Sequence, residues 1–476
     1  MKQLLLKIML LCLVGTTAVA QTNTWIGGGA NTNWNTLANW SLNAVPTAAN
    51  DVVIPTGFTV NQNVAATVKS INLQGNSTLA LTTSFTFTDA STFGPNTVVT
   101  WSSGTIDGGG TLTNNGVINL TSAALKVING DVTLNNAGTF NITSNGDFWI
   151  VQGIFNNQAT GILDLQADSG NITWSGGNLH VLNNTGIIKK TTSTGEAEIV
   201  VEVNNNGGVI SVESGTLSFQ NTIGKNLTNG TYNVSSGATF DWDGTISLSG
   251  VLEGVIDGTL NWNNIVSVST SATFDFSGSG DFNWTNGQLT GGGTLTHVGN
   301  LNLTTPSIKY LMGDTTLNNE GTFNIASNGD LWIVQGVFNN EATGIIDLQV
   351  DSANISYSGG TSHILNNFGT IKKTNSTGEA QIIVELNNNN GTISVETGVL
   401  SFQGTDVKNL NNGFYNVFSG ATFDWDGTVA GSGTMRGTIN GSLNWNNILT
   451  IAGNATFDFD GSGDFNWTSN NLTGGG

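Results

Sequence analysis

The chain repeats itself. Residues 131–161, DVTLNNAGTFNITSNGDFWIVQGIFNNQATG, align without gaps with residues 314–344, DTTLNNEGTFNIASNGDLWIVQGVFNNEATG, and 25 of the 31 positions are identical. The offset is 183 residues, and Trp101, Trp284 and Trp467 share it. Near-copies in tandem restrict the fold to architectures in which each unit buries its apolar side against its neighbours.

A finer period lies inside the unit. Glycines closing an Asn-containing turn fall at Gly116, Gly138, Gly161, Gly186, Gly207, Gly230, Gly254, Gly278 and Gly299, in steps of 21–25 residues, so the expected count is eight coils per unit. Between them apolar and polar residues alternate, as in Phe140-Asn141-Ile142 and Leu217-Ser218-Phe219. Alternation over so few residues marks half-buried strands. Most coils hold two such strands and a short apolar-Asn-Asn corner, so the expected fold is all-β, a right-handed parallel β-helix with three short faces per coil. A propeller blade needs four strands and about 40 residues, and a sandwich would not repeat its turns at this spacing. With strands stacked about 4.8 Å apart, one unit should rise about 38 Å.

The expected layout begins with a leader over 1–20. Lys2 and Lys7 precede an apolar stretch too short to span a bilayer, and Ala18-Val19-Ala20 forms a small-x-small cleavage site, which together read as a secretory signal peptide. Leu11 before Cys12 argues against a lipoprotein, and Cys12 is the single cysteine, so the exported chain has no disulfide. Residues 21–80, with Trp25, Trp34, Trp40, Pro46 and Pro55, lack the Asn-Asn-Gly period and read as an N-terminal cap. Entry coils follow over 81–110, then one unit over 111–293 and a second over 294–476. The last residues, LTGGG, match the middle of a coil at Gly291–Gly293, so a third unit and an anchoring domain are expected beyond them.

Formal net charge is −20, and −22 once Lys2 and Lys7 leave with the leader, which argues against nucleic acid and anionic membrane as partners. No later stretch is apolar and long enough for a transmembrane helix. Secretion to the medium or the outer surface of a bacterium is expected. The W-x-GGG, NW, VP and DVVIP elements of the first 55 residues, followed by many NNG coils, resemble the large repetitive surface proteins of Bacteroidetes-type bacteria. The coils also resemble those of filamentous-haemagglutinin-type and autotransporter-passenger adhesins. That resemblance implies a structural or adhesive role, with an extracellular glycan or a cell-surface protein as partner.

Several side chains compete for a chemical role. Trp242, Trp262 and Trp284 lie about one coil apart, and Trp425, Trp445 and Trp467 repeat them, so they form either a glycan platform or an interior ladder. Period two puts Phe240 and Trp242 on one side of the strand, which favours the interior. Asp241 and Asp243, with Asp424 and Asp426, are paired outward carboxylates that could hold Ca²⁺, although calcium takes about six to eight oxygens and the pattern also fits a solvated acidic face. Lys189 and Lys190 near Glu196, Glu198 and Glu202, repeated as Lys372, Lys373, Glu379 and Glu385, are the densest charge cluster. The cluster resembles the outer face of β-helix polysaccharide lyases, which set a base among acidic calcium ligands, but Gln381 stands where Glu198 is, and a duplicated loop of ion pairs is the simpler reading. His180, His363 and His297 stand without an acid or cysteine pattern, and no catalytic motif accompanies them. The Asn-Asn pairs at 114–115, 135–136, 156–157, 183–184 and 204–205 suit left-handed corners and coil-to-coil amide ladders. Neither an enzyme nor a required cofactor is expected; the alternative is a polysaccharide-binding or lyase-like β-helix.

Overall fold

The computed structural model describes residues 21–468 and 471–475; the leader and Cys12 lie outside them. The fold is an all-β parallel β-helix whose turns are about 22 residues apart. It divides into two compact bodies, one of residues up to 156 with 174–180, the other of 157–173 with 181 onward.

In the first body the ladder starts earlier than the Asn-Asn-Gly period indicates. Gln21–Thr24 pairs in parallel with Asn50–Ile54, and that strand with Ser70–Leu73. Regular stacking therefore occupies much of the segment read as a cap. Its turns escape the pattern because they use other left-handed residues, Gly57 at φ 85° and Asn76 at φ 42°. The true irregularity is the loop around Leu37–Asn39, where Trp25, Trp34 and Trp40 are buried. Trp40 meets Trp25 and Trp34 edge-on at 4.9 and 4.7 Å, and its indole N–H donates to the Trp34 carbonyl at 2.7 Å. Aromatic edges and one satisfied donor thus close the end of the stack. Higher up, Phe140, Phe148 and Phe155 form a second interior cluster with centroids 5.0–5.8 Å apart.

In the second body most coils carry three short strands, each paired with the strand three places on, as Ile187–Lys190 with Val209–Val212. The pattern changes at Lys225–Val234, Ile246–Val255 and Ile265–Ser277, where two faces join into one long strand. Register slips at the join, between Thr228 and Gly230 and between Leu248 and Gly250, as a bulge requires. Lys408–Val417, Val429–Thr438 and Leu449–Asp460 repeat the device in the second copy.

The register corrects the coil count. The column through Trp242 runs to Trp262, Trp284, Leu303, Ile325, Leu348, Lys373, Val395 and Val417. Eight turns therefore end at Val417, eight residues short of Trp425, the equivalent of Trp242. One 183-residue repeat is eight turns plus one face, which restores a mean turn of about 22 residues. Glycine spacing missed the extra face because the marked glycines change corner: Gly230 lies opposite Leu252, and Gly254 opposite Phe276. Equivalent residues of successive repeats consequently lie on neighbouring faces.

Gly254 also shows how closely the coils approach. Its φ is 147°, and an added Cβ would lie 1.9 Å from the Tyr232 carbonyl oxygen, a geometry repeated at Gly437. Gly254→Ala is expected to cost about 2 kcal/mol, read as a lower urea midpoint.

Candidate functional site

The interior is built by alternation. Each TFDW, TLNW or DFNW strand turns its Phe or Leu and its Trp inward, and Trp242, Trp262, Trp284 and Trp425 are fully buried, with Trp445 at 4 % exposure. Trp262 and Trp284 stack at 4.1 Å and 4° between planes. Their indole N–H groups donate to the carbonyls of Asn264 and Asn286, two residues on in each case. These five rings present no platform to a glycan; they are an interior ladder, because an indole sharing strand parity with Phe must share its side of the sheet. Trp467 stacks on Trp445 at 4.8 Å and is 58 % exposed.

The paired carboxylates are taken up by amides. Asp243 accepts hydrogen bonds from Ser218, Gln220 and Asn263 at 2.8, 3.1 and 2.6 Å, and Asp241 accepts one from Asn261 at 2.8 Å. Asp426 accepts from Ser401, Gln403 and Asn446, and Asp424 from Asn444. Burial pushes Asp241 and Asp424 above the usual carboxylate range, against the pull of the amide donors. The amide N–H groups are aimed at the carboxylates, as an acceptor requires. In this structure the carboxylates are thus satisfied by protein donors. Melting in EDTA and in millimolar calcium should coincide, and a shift between them would restore a calcium role for this strand.

The charge cluster comes apart along the strand. Ile188 and Lys190 point inward while Lys189 points outward, where its ammonium lies 3.5 Å from Asp164; Lys372 similarly lies 3.2 Å from Asp347. Among the described residues, Lys189 and Lys372 thus each pair with an aspartate one coil below. Glu202 and Glu385 instead accept from Asn204 and Asn387. Alternation sends neighbouring lysines to opposite faces, so linear proximity overstated their meeting.

Each Asn-Asn pair splits in the same way. The inner residues form one ladder, Asn157 donating to Asn184, Asn184 to Asn205, and Asn205 to the Tyr232 hydroxyl, at 2.7–2.9 Å. The second copy runs through Asn319, Asn340, Asn367 and Asn388 to Tyr415. The outer residues form another, as Asn204 to Asn183 and Asn387 to Asn366. The ladders match the reading, but every pair except Asn114-Asn115 lies wholly on a strand; left-handed backbone falls elsewhere, as at Asn229, Asn390 and Asn412. His297 replaces Asn114 at the head of the second inner ladder. Because Asn319 spends its amide N–H on Asn340, its oxygen must accept from His297 Nδ1, 3.1 Å away, which fixes the tautomer. Burial lowers the His297 pKa to about 4, so the ring is neutral. His180 and His363 stack on Trp174 and Tyr357 at 4.3 and 3.9 Å. His363 Nε2 also lies 2.6 Å from Asp406, where the first copy has Ile223.

Sequence reasoning missed six buried lysines. Lys126, Lys190 and Lys225, with Lys309, Lys373 and Lys408, have no exposed surface. Each ammonium caps backbone carbonyls of an adjacent loop: Lys225 donates to Gln220 and Ile223 at 2.9 and 2.8 Å, and Lys408 to Ile383, Gln403 and Asp406. The signal was parity, since Lys126 alternates with Ile128 and Lys225 with Leu227.

A groove of about 330 Å³ is edged by Asp275 and Asn300 and lies over Ile256, Phe276 and Phe282, which are themselves buried in the core. No helix among the described residues is long and apolar enough to cross a membrane. No family model matches the chain, and no curated protein or solved structure matches it.

Proposed function

We propose that the chain is a non-catalytic structural and adhesive module, exported and displayed on the outside of a bacterial cell, where its coils hold a surface for contact with a glycan or another cell's protein. The observation that carries this reading is the commitment of the polar side chains. The ladder asparagines, Asp243, Asp426 and the inner lysines serve to bind one coil to the next or to hold a loop, through partners that recur at +183. A general acid or base instead needs a free position beside a substrate. The likeness to adhesin-type coils supports the same role.

The test is to incubate the purified protein with acidic and neutral polysaccharides, following reducing ends and unsaturated products, and to measure retention of coated beads on the same polymers and on cells. Retention without new chain ends is the expected result. Cleavage of any polymer overturns the reading in favour of an enzyme, and absence of retention removes the adhesive half.

A further inference from the structure

The two copies diverge on the outward side of their long strands. In the first copy Val251, Glu253 and Val255 face out in succession, with the valines 42 % and 45 % exposed. Glu253 stands directly opposite Asp275 on the next strand. Like charges in directly opposed positions repel, and among the described residues neither makes an ion pair.

At the equivalent positions the second copy has Thr434, Arg436 and Thr438, while Thr231 and Ser235 become Phe414 and Phe418. Phe414 and Phe418 are 42 % and 51 % exposed. Arg436, the single arginine of the chain, is exposed and stands opposite Phe414 with its guanidinium carbon 4.3 Å from the ring centroid. Its other neighbour in register is Asp458, yet among the described residues Arg436 makes no ion pair. One copy thus carries unpaired acids between exposed valines, and the other an unpaired cation beside exposed phenylalanines.

We infer that these two faces bind each other between molecules: Arg436 of one chain sits between Glu253 and Asp275 of a second copy, with Phe414 and Phe418 against Val251 and Val255. The contact relieves the acid pair, supplies a bidentate partner to the arginine and covers apolar surface on both sides. The faces differ and lie on neighbouring columns of the solenoid, so the contact is heterologous. Each bound molecule keeps one face free, and association continues beyond the dimer.

Sedimentation of the full chain over a concentration series tests this. At low salt the protein is expected to form species that grow with concentration, and Arg436→Glu and Glu253→Arg should each reduce association at least tenfold. The double variant should recover it, since the swapped charges meet again across the interface. Because both side chains are exposed, all variants should still melt cooperatively within a few degrees of the parent, which separates lost contact from lost fold. A parent that stays monomeric, association indifferent to Arg436→Glu, or a double variant that does not recover would each overturn the inference. Loss with Arg436→Glu alone would point to a different anionic partner.

Discussion

Asn340→Asp is expected to cost about 4 kcal/mol, whereas Asn339→Asp, one residue away, should cost less than about 1 kcal/mol. Asn340 is fully buried, and its amide N–H groups donate to Asn367, to the Gly344 carbonyl and to the Thr370 carbonyl at 2.8, 3.2 and 3.1 Å. A carboxylate in its place donates to none of them. It faces three oxygens across a dry interior, and protonation would restore one donor only. Asn339 exchanges hydrogen bonds with Asn318 and Asn366 on the half-exposed outer ladder, where water can replace either partner. Equilibrium urea unfolding of the two variants measures the contrast. Equal losses at both positions would show that the inner ladder is no more sensitive than the outer.

The same contrast shows what the sequence makes legible. Period two separates Asn339 from Asn340, Lys189 from Lys190 and Asp241 from Trp242, so the interior of nearly every coil is readable from parity alone. Parity says nothing about where a coil closes. Glycine positions mark flexible corners, but the corners migrate through the bulged strands around Thr228 and Leu248, and one face in twenty-five goes uncounted per repeat. Charge misled for a different reason. A lysine is read as solvated because an isolated ammonium is costly to bury, yet the loops leaving these coils turn unpaired carbonyls toward the inward lysines and supply what water would. The Asp241–Asp243 pair was visible as chemistry; its amide partners were not, because they come from coils 20 and more residues away.

Raising the pH from 7 to about 10 is expected to stabilise the fold, against the usual direction for a protein rich in carboxylates. Burial lowers Lys225, Lys309 and Lys408 from the ordinary 10.5 to about 8 in the folded chain. Between those values the unfolded chain holds protons that the folded chain has released, so the unfolding free energy rises with pH. Below about 8 all three are charged in both states and the full desolvation cost applies. Each shift corresponds to about 3 kcal/mol, so even partial addition moves the urea midpoint measurably. The caps largely survive the titration, because a neutral amine still has two N–H groups: Lys225 keeps both of its carbonyls and Lys408 two of its three. Above about pH 10 the sign reverses: burial raises the phenols of Tyr232 and Tyr415, so only the unfolded chain ionises them and stability falls again. A midpoint that declines steadily between pH 7 and 9.5 would contradict this account. Methionine at 225, 309 and 408 together should flatten the rise, since the titrating groups are gone while the aliphatic stems remain.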